Sequence, residues 1–428
     1  MRIAIVTNFI YPEGLGGTEL YCFQLIQALV STGNDVFWLI PNFGSSNTVS
    51  EAHISGAKVI RFATKDAEGK DGLAVLERSF ASAIRNYNIE TAHFNEFGGE
   101  DGINPTLLRI AREAGAKTIV TLHLANYICK SSTMHFAGKQ PCNGKVITAR
   151  CSSCFALSGL TGSSTFNYMT ATVAAGILSL KAVRSLPGIK TIVAAVEMKR
   201  TFIGELANHA DRIVSLTKWF RTVLIENGIS ADKITYIPQV SPDPQSSANI
   251  SISDSRKGYV FIGRVNKEKG VDLLMEIAPK LKRAYPELVV DLYGPYTPTK
   301  VLPHTIIDDL NGYDNIRYKG VLELDEVLPV MNQYKAVILP SRVAEMAPLI
   351  IMEANRLKVP VIVSDVPGSS ELVKASGGGL VFKYGSAKHL FKRISEIEQA
   401  TVSFQYREPE INGFRSLSEK YVAVYKKA

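Results

Sequence analysis

A chain of 428 residues with 46% apolar and 21% charged side chains is long enough for two domains with full cores, and nothing in its composition points to disorder. The opening MRIAIVTNF is too short and wrongly flanked for a signal peptide and no apolar run reaches spanning length, so a cytoplasmic protein is expected. The net charge of +8 is modest but lopsided. From Ala114 to Val196 there is no Asp or Glu, while Lys117, Lys130, Lys139, Lys145, Arg150, Lys181, Arg184 and Lys190 all lie there, which implies an anionic membrane or an anionic substrate. Nucleic acid is the poorer partner for that segment and is not expected, because aromatic interleaving is slight there and no recognition motif appears.

In chain order, strand-like RIAIVT is followed by a predicted helix over 18–31, strand DVFWLI, a helix over 73–87, strand TAHF, another helix and strand TIVTL. After an interruption come RIVSL, a helix over 220–227 and ITYIP, then a linker-like stretch, SPDPQSSANISISDSRKG, rich in serine and proline. The alternation resumes with YVFIG, a helix over 271–284, LVVDLYG, NIRYKG, a helix, AVILP, a further helix, VPVIVSD and GLVFKY. Strands alternating with helices predict an α/β protein with two tandem Rossmann-like domains and a cleft between them. The expected boundaries are residues 1–245, with a cysteine-bearing and helical insertion at about 125–205, and residues 256–400. Residues 401–428 end in an amphipathic helix, SLSEKYVAVYKK, that docks elsewhere, with the first domain as one candidate.

Loops at the ends of parallel strands carry ligand sites in such sheets. After the first strand, YPEGLGGTE places Gly14, Gly16 and Gly17 before a helix, where the backbone can approach a ligand closely. The spacing is not G-x-G-x-x-G, and the second strand ends in Pro41-Asn42 without an acid for a ribose hydroxyl, so a dinucleotide cofactor is the weaker reading. In FIGRVNKEKGVD, Gly263 opens a loop with Arg264 and Lys269, a pair of cations suited to a diphosphate. In SRVAEMAPLIIMEANR, Glu345 and Glu353 flank a helix start at Pro348, and a helix N-terminus favours anions. A capping acid and a solvated helix glutamate would explain that segment taken alone.

The residues G-R-x-x-x-x-K-G, P-S-x-x-x-E-x-x-x-x-x-x-x-E-A and V-P-V-I-V-S-D resemble the C-terminal domain of family-four retaining glycosyltransferases, of the GT-B architecture and glycosyl transferases group 1. G-G-T-E and T-L-H, ending at His123, resemble the same family's acceptor domain. The resemblance implies a metal-independent, hexosyltransferase-like enzyme that moves a sugar from a nucleotide-diphosphate donor to a glycan or lipid-linked acceptor, with surface polysaccharide synthesis as its setting. It implies that Glu353 holds ribose hydroxyls, that Glu345 and His123 stand near the sugar, and that the amides of Leu349 and Ile350 meet the diphosphate. Arg264 and Lys269 would neutralise the leaving group, and Gly16, Gly17 and Gly263 would border the nucleotide sugar. No two aspartates are two positions apart, so the D-x-D metal motif is absent. The chain departs from the family pattern at Leu124 after His123, and at Gln239 and Asp243 in IPQVSPD. Two rivals are a nucleotide-sugar epimerase of the same architecture and an inactive nucleotide-binding scaffold at the membrane.

Cys129, Cys142, Cys151 and Cys154 cluster after His123, with Cys22 alone in a helix as core. The spacing leaves open a structural zinc, four reduced thiols and, third, an iron–sulfur cluster, with His135 as a spare ligand. Some bacterial members of the resembled family carry a similar insertion. The apolar, basic stretch after it reads as packed helices or as a peripheral contact with the inner face of a membrane.

Overall fold

The structure is a computed structural model that describes all residues except 15, 44–49, 66–71, 99–101, 158–163, 242–250, 254 and 297–311. Most of the linker-like stretch, Asp243 included, lies outside the described residues. The chain forms two compact units, Met1–Pro242 with Ile411–Ala428, and Asp243–Glu410.

The first unit begins with β1 (Arg2–Val6), α1 (Gly17–Ser31), β2 (Asp35–Asn42), β3 (Ser50–Ile54), β4 (Ala57–Ala63), α2 (Leu73–Asn86), β5 (Thr91–Phe94), α3 (Thr106–Glu113) and β6 (Lys117–Thr121). The insertion follows as the two-stranded ribbon β7 (His135–Phe136) and β8 (Gln140–Pro141), then α4 (Thr148–Leu157), α5 (Ser164–Ile177), α6 (Lys181–Arg184) and α7 (Ile189–His209). The main sheet resumes with β9 (Arg212–Ser215), α8 (Lys218–Glu226) and β10 (Ile234–Tyr236), in the strand order β10-β9-β6-β5-β1-β2-β4-β3. All neighbours are parallel except β3, which pairs antiparallel with β4. The β3–β4 hairpin is not visible in the periodicity, because β3 (SEAHI) is exposed along most of its length. Its two-residue turn, Ser55 at φ 50° and Gly56 at φ 83°, has the double positive φ of a hairpin turn.

In the second unit β11 (Tyr259–Ile262), α9 (Val271–Ala284), β12 (Val290–Tyr293), β13 (Ile316–Tyr318), α10 (Val327–Met331), β14 (Ala336–Leu339), α11 (Leu349–Arg356), β15 (Val361–Ser364), α12 (Ser369–Ser376), β16 (Gly379–Phe382) and α13 (Ala387–Glu398) build a parallel sheet. Its order is β13-β12-β11-β14-β15-β16. Strands covered on both faces need no polar side, which is why AVIL and VIVS are buried throughout. The winding reverses between β11 and β14, and the crevice at such a reversal is where loops from two directions meet.

The last helix, α14 (Gly413–Lys427), belongs to the first unit. Its Phe414, Leu417, Tyr421 and Tyr425 join the core built on β1, β2 and α1. Inside that core Tyr21 and Tyr421 share a hydroxyl contact of 2.7 Å, and Tyr421 meets Thr121 at 3.1 Å. His93 bonds Thr121 and Tyr425, each at 2.8 Å. Each hydroxyl and ring nitrogen of this Tyr21–Tyr421–Thr121–His93–Tyr425 network has a partner within it, so burying the network costs little.

Candidate functional site

In the second unit the loops leaving β11 and β14 lie side by side. Gly270, at φ 78°, allows this approach: a Cβ there would stand 1.9 Å from the Pro340 carbonyl oxygen. Lys269 Nζ reaches to 2.5 Å from Glu345 Oε1, and Ser341 Oγ donates to the same oxygen at 2.7 Å. These two charged side chains are only 17% and 15% exposed, so the ion pair is held away from most of the solvent. The Glu345 loop is fixed from behind. Its N–H donates to the Pro367 carbonyl at 3.1 Å, and a Cβ on Gly368 would fall 1.4 Å from the Glu345 carbonyl oxygen. Arg342 ties the same loop to α9 through Asp272 at 2.6 Å.

Arg264, next to Gly263 on this rim, is exposed and has no ion-pair partner among the described residues. Helix α11 begins at Leu349, with Pro348 at the capping position, one residue outside the helix it was expected to open. The N–H groups of Leu349 and Ile350 therefore have no acceptor within the helix and carry its positive end. Glu353, one turn on, is half-buried, and burial pushes its carboxyl up to about 7 against the pull of Arg356. One rim thus combines a free guanidinium, a lysine compensated by a nearby carboxylate and a helix N-terminus. It can accept an anion if Lys269 exchanges Glu345 for it.

The first unit has different chemistry at its own reversal point, between β1 and β5. Gly16 caps α1, and a Cβ there would lie 2.3 Å from Glu19 Oε2, so the acid folds back over the glycine loop that ends at Gly17. Glu96, just after β5, accepts the Asn8 N–H at 2.9 Å. Burial raises the Glu96 carboxyl; the Asn8 N–H opposes this and Glu19 adds to it. His123, past the end of β6, bonds Asn95 Oδ1 through Nε2 at 3.2 Å and meets the Tyr21 ring edge at 4.9 Å. Burial holds its imidazole down to about 3, and His93 likewise, so both rings are neutral at ordinary pH.

The four clustered cysteines share a cavity of about 40 Å³ in the insertion, with His135 also on its wall. Burial, and then the neighbouring sulfurs of Cys142, Cys129 and Cys154, push the Cys151 thiol up to about 11, although the Ile147 N–H opposes it. As the side chains stand, no three His, Cys, Asp or Glu groups among the described residues form a closed ligand set. Cys22 is buried in the first unit's core.

The structure thus groups Gly263, Arg264, Lys269, Glu345, Leu349, Ile350 and Glu353 on the second unit and Gly16, Gly17 and His123 on the first. Sequence reasoning missed the Asp272–Arg342 brace, Glu96, Asn95 and His93, and it read Glu19 and Ser341 only as members of the motifs G-G-T-E and P-S-x-x-x-E, without a role. The Asn95-Glu96 pair had a usable signal, since TAHFNE puts two polar residues at a strand end.

Solved structures align with both units along the whole chain. The sucrose-phosphate synthase of Thermosynechococcus elongatus is 15% identical at a TM-score of 0.62, covering 100% of this chain and 98% of its own. An Anabaena protein, HepE, solved in complex with UDP-glucose, is 13% identical at a TM-score of 0.56, covering 100% and 95%. The fold is GT-B. Residues 243–408, which are nearly all of the second unit, match the family described as glycosyl transferases group 1. Among curated relatives, the GtfA subunit of a UDP-N-acetylglucosamine–peptide N-acetylglucosaminyltransferase of Streptococcus pneumoniae is 29% identical over 189 residues, which are 44% of this chain and 36% of that protein. The alpha-galactosylglucosyldiacylglycerol synthase of the same species is 24% identical over 183 residues, 39% of this chain and 47% of the relative. The chain spans well under two thirds of the length of these relatives.

Proposed function

We propose that this protein is a retaining, metal-independent glycosyltransferase that takes a sugar from a nucleotide-diphosphate donor held by the second unit and gives it to a glycan or lipid-linked acceptor held by the first. The observation that carries the reading is the Lys269–Glu345 pair at the β11/β14 reversal, beside the positive end of α11. An incoming diphosphate would take Lys269 from Glu345, adding the helix amides and Arg264, while ionised Glu353 accepts the ribose hydroxyls. In transfer, the bond between the anomeric carbon and the diphosphate oxygen breaks and the electron pair leaves with the phosphate. The acceptor oxygen then bonds on the same face, and its proton passes to the departing phosphate oxygen. Glu345, released from Lys269, stands where positive charge grows on the sugar, and preorganised charges on both sides of the breaking bond supply most of the barrier lowering. The relatives and neighbours named for nucleotide-sugar chemistry support this reading, as does the family that the second unit matches.

The test is a thermal-shift screen of nucleotide sugars, since a true donor raises the melting temperature by mass action. The best binder is then given acceptors, and the product anomer is read by NMR. Free sugar or an epimer in place of a glycoside would sink the transferase reading. Brief chelator treatment should leave turnover unchanged.

The membrane side of the proposal rests on α5, a helix with its bulky apolar residues outside. Met169, Val173 and Ile177, four residues apart, are each more than half exposed, as is Leu180, while Ala171 and Leu178 are buried. Lys181 and Lys190 follow on exposed positions, and Arg184 donates to the Leu178 carbonyl at 2.6 Å. An apolar stripe ending in cations, on a segment without acids, suits an anionic bilayer surface and a lipid-linked acceptor in surface polysaccharide synthesis. Among the described residues no helix is long and apolar enough to cross a membrane. Vesicle sedimentation should show binding to anionic but not neutral lipid, weakened by salt and by K181Q with K190Q. Equal binding to both lipids refutes the contact.

A further inference from the structure

We infer that Cys129, Cys142, Cys151 and Cys154 form a tetrahedral thiolate site for one structural zinc ion, which holds the insertion together. The sulfurs arrive from separate elements: Cys129 after the turn Ala125–Tyr127, Cys142 after β8, and Cys151 with Cys154 on one face of α4. All four line one cavity of about 40 Å³, which has room for an ion.

Each sulfur also faces backbone N–H donors. Cys142 Sγ accepts from Gly144 at 3.5 Å, Cys151 Sγ from Ile147 at 3.4 Å and Cys154 Sγ from Ala137 at 3.3 Å. The N–H groups of Met134, Ser131 and Ser132 face Cys129. A neutral thiol is a weak acceptor, whereas a thiolate gains from every such donor, as ligating groups gain from the hydrogen bonds around them.

The surrounding charge points the same way. Lys130, Lys145, Arg150 and Lys199 line the cavity and no carboxylate does. Around uncharged thiols that is unopposed positive charge; around a zinc ion with four thiolates, whose net charge is −2, it is complementary. A staple suits the insertion, because among the described residues the buried apolar cluster beside the ribbon and α5 is small, holding Phe136, Ala137 and Ala171. As placed, the thiols are not closed into a ligand set, so the ion would draw them inward across the cavity. His135 stands on the same wall with Nδ1 3.1 Å from the Thr133 carbonyl oxygen, and the assignment leaves it out of the ligand set.

The test is elemental analysis of the full chain purified without chelator. About one zinc per chain is expected, falling to near zero in C151S with C154S and staying near one in H135A. Because the double variant can also misfold, the second measurement uses the unmodified protein. Removing the metal should expose four alkylatable thiols that zinc re-addition protects, and cobalt(II) in place of zinc should give thiolate charge-transfer absorption with tetrahedral d–d bands. No bound metal with all four thiols reactive, bound iron with sulfide, or Cys–Cys disulfides in the native protein would each overturn the inference. Loss of metal in H135A would overturn the ligand set.

Discussion

The two units share a strand order and differ in what they place at the point where it reverses. In the second, the rim carries Arg264, Lys269 and the first amides of α11. In the first, the equivalent place carries Glu19 and Glu96, with the neutral rings of His93, on β5, and His123, just past β6, nearby. The rim of the second unit's sheet thus gathers positive charge, whereas the corresponding rim of the first unit's sheet gathers carboxyls and uncharged rings, which on the proposed function are the anion-binding and acceptor-binding sides. The architecture fixes where a ligand sits, and the loops fix what kind it is.

The sharpest way to break this contrast is to remove the cations. Arg264→Ala should lower turnover at saturating donor by about 10²–10³-fold. It should change stability by less than about 0.5 kcal/mol, because the side chain is exposed and unpaired among the described residues. Lys269→Ala should lose turnover similarly but also destabilise the fold, since it strands Glu345 in a largely buried position; breaking a fully buried pair costs about 3–5 kcal/mol. Wild-type turnover in the Arg264 variant would dissolve the anionic side of the comparison.

Glu345→Gln separates binding from chemistry. The amide keeps the shape and frees Lys269, so the affinity for a nucleoside diphosphate should hold or rise while turnover falls by about a hundredfold. A parallel loss of affinity and stability with little change in turnover would make the pair a brace for the loop only.

The parts of this arrangement legible in the sequence were those with local causes. Parallel strands buried on both faces leave continuous apolar runs, and the loops after them carry Gly263, Arg264, Lys269 and Glu345 in plain order. The Lys269–Glu345 contact, with 76 positions between its partners, depends on which strands are neighbours, and spacing does not encode that. The same holds for His93 and Tyr425, 332 positions apart. The β3–β4 hairpin was missed because an exposed edge strand has no periodic face to read.

Glu353 gives a pH-dependent test. Its carboxyl, pushed up to about 7 by burial, binds more protons in the folded than in the unfolded chain between the ordinary carboxylate range and about pH 7. Its contribution to stability is therefore fully present below the unfolded value and is lost as pH rises through about 7. Donor affinity should move the opposite way, since ribose hydroxyls need the ionised acceptor, rising by about tenfold per unit below pH 7. Glu353→Gln should flatten both trends; an unchanged profile would remove Glu353 from the ribose contact.

The smallest effect belongs to the histidines of the first unit. Burial depresses both imidazoles to about 3, so the folded chain binds fewer protons than the unfolded one between about pH 3 and the ordinary histidine range. Stability from them is full above that range and is lost as pH falls through it, while the rings themselves stay neutral in the native state. NMR of the imidazole carbons should show no titration of His93 or His123 between pH 5 and 8, and any fall in turnover toward acid in that range should persist in His123→Gln. A titrating His123 would place a charge beside Asn95 and Tyr21, and the first unit would then no longer be the neutral partner of the cationic rim.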